Sequence, residues 1–198
     1  MNNKSQVVLK LSQAAFMAAL CYIGFQFLRI DVPVGPEKTA FHFGNVCCVL
    51  GALLLGGLWG GMAGAVGMTI ADLTSGYVTS APKTFFLKLC IGLIVGLVAH
   101  GIGKLSQIKD QKKVFKWALI GSIAGMVFNI VADPIVGYFY KMYILGVPQD
   151  ISTALAKLSS LTTSVNALLT VVSAVVLYTA LRPALKKANI FPNVAKWY

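Results

Sequence analysis

Seven polar side chains lie inside or at the ends of strongly apolar stretches of this sequence. Side chains of this kind are costly in apolar surroundings and usually face a cavity or a partner. Two of them, Asn129 and Asp133, are four residues apart, so a helix would place them on one face. Together, the amide, carboxylate, imidazole and ammonium groups suit hydrogen bonding to a small polar molecule. The candidate binding residues are His42, Asn45, Asp72, Lys88, Asn129, Asp133 and Asn166.

Each of these residues also has a structural explanation that the sequence leaves open. The asparagines can join helices by hydrogen bonds, and Asp72 with Lys88 can form a structural ion pair. Asp133 precedes Pro134, an arrangement that often marks a helix end or a kink. A histidine near a membrane surface, such as His42, is often a satisfied surface side chain. The grouping of the seven residues is therefore stronger evidence for a binding site than any single one.

Motifs for catalysis and for nucleotide binding are absent from the sequence. It contains no HExxH, GxSxG, GxxxxGK[ST] or DxxD pattern. We therefore predict a protein that is not an enzyme, with no catalytic residue, no metal site and no cofactor. Without a phosphate-binding loop, the chain cannot bind ATP in the usual way. The cysteines lack metal-ligand spacing and are expected to be small buried residues; they are Cys21, Cys47, Cys48 and Cys90.

The composition is that of a membrane protein with several spans. The chain has 198 residues, of which 57% are hydrophobic and 12% are charged, and its mean hydropathy is +0.76. Soluble domains carry about twice this charged fraction. Because a span needs about 20 apolar residues, the length allows about five to seven spans and no separate soluble domain. We expect residues 1–198 to form a single integral-membrane domain that keeps its first span.

The apolar stretches predict an all-α membrane protein, a bundle of six transmembrane helices. The segment DVPVGPEKTAF after the first span is expected to be a loop, and GGLWGG (56–61) a tight turn. Residues 139–162 have a mixed composition and include a candidate short interfacial helix. The predicted spans are residues 8–30, 42–58, 62–77, 85–105, 114–138 and 163–185.

Positive charges divide unevenly between the two sides of this predicted bundle. Eleven Lys and Arg residues lie on the side that carries both termini, and six lie on the other side. The excess predicts that both termini are cytoplasmic. The net charge of +11 is then a cytoplasmic collar that contacts anionic lipids rather than nucleic acid. In this orientation the seven candidate residues lie in the outer half of the bundle, which predicts one polar pocket that opens outward.

Two interleaved pairs of small residues lie near the start of the first predicted span. Ala14 and Ala18 are four residues apart, and so are Ala15 and Ala19. Small residues let helices approach closely in lipid, where the hydrophobic effect does not drive their association. We expect the four alanines to form a flat patch that docks a partner helix. Packing within the chain's own bundle is the alternative.

Three segments of the sequence resemble the S components of energy-coupling factor (ECF) vitamin transporters. AAFMAA (14–19) is similar to the AxxxA motif in the first helix of that family. HFGNVCCVLGALLLGGLWGGMAGAVGMTIADLTSGY (42–77) is similar to its second and third helices with their glycine-rich turn. APKTFFLKLCIGLIVGLV (81–98) is similar to the loop that leads into its fourth helix.

This resemblance implies the substrate-binding subunit of an ABC-type vitamin importer in the bacterial cytoplasmic membrane. Its partners would be a vitamin, the lipid bilayer, a transmembrane coupling subunit on the alanine patch and two ATPase subunits. ATP hydrolysis would rotate the S component in the membrane and present its pocket to the cytoplasm. Residues 31–41 would form the gate over the pocket.

The identity of the vitamin is open at this point. The FGN, ADL and APKTFFLK segments are most similar to the branch for pyridoxine or hydroxymethylpyrimidine, and the asparagine amides suit a heteroaromatic ring. Lys83, Lys88 and Arg29 would instead suit a carboxylate, as in pantothenate. A stand-alone secondary carrier or channel is a further alternative. Such carriers usually show inverted repeats and interrupted helices, and the sequence shows neither clearly.

Overall fold

Within residues 3–34, 37–191 and 194, which the computed structural model describes, the chain forms six α-helices capped at one end by a β-hairpin. Helices α4 and α5 each continue into a π-helical turn, at Leu97–Ile102 and Tyr140–Ile144. Short 3-10 turns lie at Val78–Ser80 and Leu105–Gln107. The strands are β1 (Arg29–Val34) and β2 (Glu37–His42). The helices are α1 (Asn3–Gln26), α2 (Gly44–Leu55), α3 (Gly57–Thr74), α4 (Ala81–Gly96), α5 (Gln111–Phe139) and α6 (Gln149–Lys187).

Helix α2 lies at the centre of the bundle. All of its 12 residues except Cys47 are buried, and it packs against α1, α3, α4 and α6. Protein rather than lipid surrounds α2, so its short length leaves no backbone group facing hydrocarbon. The predicted span 42–58 is therefore realised as a short central helix.

Among the described residues, four helical segments are long and apolar enough to cross a membrane, by length and composition. They cover Val7–Gln26, Val78–Ile102, Gln111–Ile144 and Gln149–Lys187, and α2 is a shorter apolar helix. Helix α3 is not in this group, and five of its 18 residues are glycine, which adds little hydropathy. The structure agrees with a mostly helical membrane protein. Six full spans and cytoplasmic termini stay predictions.

Glycine residues allow α2, α3 and α4 to approach each other closely. A Cβ atom on Gly60 of α3 would overlap the backbone of Ala52 in α2. A Cβ atom on Gly92 of α4 would likewise overlap the backbone of Gly61. Small residues at such contacts replace the hydrophobic drive that is missing between helices in lipid. The glycine-rich segment is thus a packing interface.

The segment expected to be a loop, residues 31–41, forms most of the β-hairpin instead. Strand β1 pairs with β2 in an antiparallel register over six residue pairs. Ile30, Val32 and Val34 are β-branched and alternate along β1, a pattern that favours a strand. Pro33 concealed this pattern, yet both strands of a two-stranded sheet are edge strands, where proline is tolerated.

Two further predicted boundaries are wrong. The expected turn over residues 56–61 is confined to Gly56, whose φ of 87° favours glycine, and α3 begins directly after it. The polar residues 149–162 belong to α6, which continues without a break to Lys187. The hydroxyls of Thr153 and Ser164 donate to carbonyls four residues earlier, at 2.7 Å each. Such bonds satisfy polar side chains inside a helix, which is why polarity alone was misleading.

The end of the bundle opposite the hairpin, here called the terminal end, carries the end of the described chain. Gln13 Nε2 donates to the carbonyl of Ile190 at 2.8 Å. Arg182, which is 2% exposed, donates to the carbonyls of Leu105 and Ile108 at 3.0 and 2.7 Å. These bonds tie α6 to the α4–α5 connection, and they tie the segment after α6 to the first half of α1.

Exchange of Gly60 for alanine should destabilise the bundle. The added methyl group would overlap the backbone of Ala52, and overpacking of this kind costs about 1–3 kcal/mol. We expect Gly60→Ala to lower the melting temperature of the detergent-solubilised protein. Gly51→Ala is the matched control, because its Cβ would lie an ordinary 3.5 Å from Gly60 Cα. Equal melting temperatures for Gly60→Ala and the wild type would contradict the observed packing.

Candidate functional site

A pocket lies beneath the hairpin, between β2 and the six helices. The volume of its cavity is about 100 Å³, and its mouth is open. All seven polar residues predicted from the sequence line this pocket. The fold brings together residues as far apart as His42 and Asn166, which are 124 positions apart in the chain. Whether these residues bind a substrate stays a prediction.

Both oxygen atoms of the Asp133 carboxylate are engaged by groups of the protein itself. Lys83 Nζ lies 2.8 Å from its Oδ1 atom. The hydroxyls of Ser159 and Thr163 donate to its Oδ2 atom at 2.7 and 3.2 Å. These bonds join α4, α5 and α6 beside the pocket. The following Pro134 does not end the helix, because α5 continues past it.

Both polar atoms of the Asn166 side chain are likewise engaged by the protein. Its Oδ1 atom accepts a hydrogen bond from the backbone N–H of His42, and its Nδ2 atom donates to the carbonyl of Ala40, both at 3.0 Å. The alternative explanation for the asparagines was that their side chains join helices by hydrogen bonds. Asn166 has a related role, since it joins a helix to the hairpin.

Four other pocket residues carry buried polar atoms that lack a hydrogen-bond partner in the part of the chain that the structure describes. These atoms are His42 Nδ1, Asn45 Oδ1, Asp72 Oδ2 and Asn129 Oδ1. A buried polar atom without a partner costs about 1–3 kcal/mol, and few occur in native proteins. Because the four residues line one cavity, a single polar ligand can satisfy several of these atoms at once.

Lys88 brings a positive charge to the wall of the pocket. It comes from α4, and its side chain is buried. Among the described residues, no ion pair joins Lys88 to Asp72, so the structural ion pair considered as an alternative does not form. Charged groups of both signs therefore remain available to a ligand.

Ion pairs and hydrogen bonds hold the hairpin over the pocket. Asp31 accepts hydrogen bonds from Lys38 Nζ at 3.0 Å and from the hydroxyl of Tyr77 at 2.9 Å. Burial alone would raise the pKa of Asp31, but these two hydrogen bonds and the neighbouring cations hold it below its ordinary value. The carboxylate is therefore charged at neutral pH. Elsewhere along the hairpin, Glu37 forms an ion pair with Lys141.

An aromatic group contributes to the pocket wall, and one of its three members, Phe25, was not predicted from the sequence. The rings of His42 and Tyr77 pack edge-on against Phe25, with centroid distances of 4.8 and 5.6 Å. All three residues line the pocket. Phe25 lies in the apolar first span, where nothing in the sequence distinguishes it from a residue that faces lipid.

A row of hydroxyl groups on α6 was also missed. Ser159, Thr162 and Thr163 line the pocket, but most of this segment was interpreted as a connection before the sixth span. The sequence did indicate a polar helix face here, because Ser159, Thr162 and Asn166 recur at spacings of three and four residues. That spacing is typical of one face of a helix.

The four alanines of α1 do not form one exposed patch, which corrects the prediction from the sequence. Ala14 is 7% exposed and belongs to the core. The backbone of Ala18 lies so close to Gly67 that a Cβ atom on Gly67 would overlap it. Only Ala15 and Ala19 are exposed. The first pair therefore packs within the chain, and the second pair remains available for docking.

Comparison with known proteins gives a family and one relative. The family model described as the S component of ECF-type riboflavin transporters matches residues 5–183. A protein of Pyrococcus woesei, named "Uncharacterized protein in gap 3'region", is 29% identical over 118 residues, which are 60% of this chain and 69% of that protein. No solved structure matches the chain significantly.

The family match covers all six helices almost to the end of α6. It includes every residue that lines the pocket as well as the exposed alanines of α1. It agrees with the resemblance that the sequence segments suggested. The chain belongs to the family of S components of ECF-type riboflavin transporters.

Proposed function

We propose that this protein is the substrate-binding subunit of an ECF-type importer and that it captures a small water-soluble vitamin beneath the hairpin. The observation that carries the proposal is the set of buried, unpartnered polar atoms on His42, Asn45, Asp72 and Asn129. Buried polar atoms without a partner also occur elsewhere in the described residues, such as Trp59 Nε1 and Thr170 Oγ1, but four of them surround this one cavity. The family match supports the same function.

We propose riboflavin as the substrate, which the description of the matching family favours. A flavin ring presents hydrogen-bond donors and acceptors along one edge, and the amides of Asn45 and Asn129 can pair with either kind of group. The rings of Phe25 and Tyr77 offer apolar surface to a planar molecule. The hydroxyl groups on α6 already bind within the protein, but their oxygen atoms can also accept hydrogen bonds from a polyhydroxylated side chain such as the one riboflavin carries.

Three smaller molecules remain candidates. Pyridoxine or hydroxymethylpyrimidine, predicted from the sequence segments, could use the same amides. Pantothenate would place its carboxylate near Lys88. We favour riboflavin over them because the matching family is described as that of riboflavin transporters.

Removal of the pocket amides should weaken binding without unfolding the protein. Asn129→Ala and Asn45→Ala each delete a buried oxygen that has no protein partner. We expect each to weaken riboflavin binding about 5- to 150-fold, equivalent to about 1–3 kcal/mol. The melting temperature of the ligand-free protein should stay the same or rise. Calorimetric titration and thermal melts measure the two effects separately.

Asp133→Ala is the contrasting variant in this experiment, because it removes the partner of Lys83, Ser159 and Thr163. It should lower the melting temperature of the ligand-free protein, since a buried charge is left unpaired. Unchanged riboflavin affinity in both asparagine variants, together with lowered melting temperatures, would place the binding site elsewhere. Tighter binding of pyridoxine, hydroxymethylpyrimidine or pantothenate to the wild type would replace riboflavin as the substrate.

We further propose that the hairpin end faces outward and that partner subunits supply the energy. The excess of Lys and Arg on the terminal side supports this orientation. The sequence lacks a phosphate-binding loop, so ATP hydrolysis would come from two ATPase subunits. A transmembrane coupling subunit would dock on the exposed pair Ala15 and Ala19.

Larger residues at the exposed alanines should block transport but not binding. We expect Ala15→Leu and Ala19→Leu to keep wild-type riboflavin affinity and melting temperature. Docking to the coupling subunit should weaken about 5- to 30-fold, equivalent to ~1–2 kcal/mol for a helix contact in lipid. ATP-driven uptake by proteoliposomes that contain all subunits measures the loss.

Ala14→Leu is the control for that experiment, because Ala14 is buried in the core. It should lower the melting temperature through overpacking. Full uptake by both exposed-face variants would disprove docking at this site. Accumulation of riboflavin by the chain alone, driven by a proton or sodium gradient, would instead establish a secondary carrier.

A further inference from the structure

The amide of Asn166 binds the backbone of β2 as a neighbouring strand would. It accepts from the N–H of His42 and donates to the carbonyl of Ala40, with both distances at 3.0 Å. Alternate residues of a strand direct their backbone groups to the same edge, so the two bonds occupy one edge of β2. Asn166 is 3% exposed, and both of its polar atoms are used in this contact.

Thr162 binds the same strand one helical turn away. Its Oγ1 atom lies 3.0 Å from Oγ1 of Thr39, and its side chain is buried. Residues four apart share one face of a helix, so a single face of α6 holds β2 at two successive levels. Thr39, Ala40 and His42 also line the pocket. The strand held by α6 is therefore part of the pocket wall.

We propose that Asn166 is a positioning residue that latches β2 over the pocket and sets the rates at which substrate enters and leaves, without contacting the substrate. This role differs from the direct binding predicted from the sequence. The substrate then passes where β2 separates from α6. The statement about rates rests on the proposed function, whereas the latch itself is a property of the ligand-free protein.

A latch and a ligand contact have different effects on binding kinetics. The two bonds of Asn166 do not involve the substrate, so their loss favours the open state equally in the free and the loaded protein. Association and dissociation rates then rise together, and the dissociation constant stays nearly the same. Loss of a direct contact raises the dissociation rate alone and raises the dissociation constant with it.

The first test needs no ligand. Asn166→Ala removes the acceptor of the His42 N–H, so we expect hydrogen exchange of this amide to become about 5- to 150-fold faster. Leu168→Ala is the matched control, because Leu168 is an exposed residue of the same helix. It should leave the exchange rate unchanged. Unchanged exchange of His42 in Asn166→Ala would overturn the latch, whichever vitamin the protein binds.

The second test follows riboflavin fluorescence after rapid mixing. In Asn166→Ala, both rate constants should rise about 5- to 150-fold, while the dissociation constant changes by no more than about twofold. In Asn129→Ala, only the dissociation rate should rise. A rise in dissociation alone in Asn166→Ala would make Asn166 a substrate contact and overturn the proposal. Absence of riboflavin binding by the wild type would refute the proposed substrate, and hydrogen exchange would still decide the latch.

A cross-link tests the latch in the opposite direction and covers the case in which Asn166→Ala fails to fold. Thr39→Cys with Thr162→Cys replaces two hydroxyls that are 3.0 Å apart, in a chain whose four free cysteines are replaced by serine or alanine. In the oxidised form, the backbone amide hydrogen of His42 should exchange more slowly than in the reduced form. The oxidised form should also neither take up nor release riboflavin. Each single cysteine variant is a control. Exchange of the His42 amide hydrogen at the wild-type rate, together with uptake and release of riboflavin by the oxidised form, would overturn the latch.

Discussion

Every buried polar atom needs a hydrogen-bond partner, and this requirement determines how the side chains are arranged at the hairpin end of the bundle. Bundle helices satisfy their own backbone groups, so the cost falls on polar side chains. The chain meets this need with its own groups at Asp133 and Asn166. It leaves the need unmet at one atom each of His42, Asn45, Asp72 and Asn129, as far as the described residues show. One part of the pocket wall thus forms its hydrogen bonds within the protein, and a ligand completes the hydrogen bonding of the other part.

Close helix packing makes this division possible. The glycine contacts among α2, α3 and α4 bring their backbones together and enclose α2. An enclosed α2 carries Asn45 into the interior, where neither lipid nor bulk water can satisfy its amide. On the other side of the pocket, α6 extends well beyond the length of one span. Its hydroxyl groups and Asn166 reach the hairpin because of that length.

Much of the candidate site could be predicted from the sequence, because an ionisable or amide side chain stands out in an apolar stretch. All seven such residues line one pocket. Their roles could not be predicted, since the partners that engage Asp133 and Asn166 come from distant segments. The hairpin was missed because Pro33 obscured the alternation of β1, and the two faces of the alanine pairs depend on where Gly67 lies. Spacing alone cannot tell an internal helix contact from an external one.

The central claim is that a vitamin completes the hydrogen bonding of the pocket. Native mass spectrometry tests it most directly, after incubation of the purified protein with equal concentrations of riboflavin, pyridoxine, hydroxymethylpyrimidine and pantothenate. The account predicts one riboflavin per chain in the wild type and no retained vitamin in a folded variant that carries both Asn45→Ala and Asn129→Ala. Retention of riboflavin by that variant, or a wild type that retains none of the four vitamins, would contradict the account.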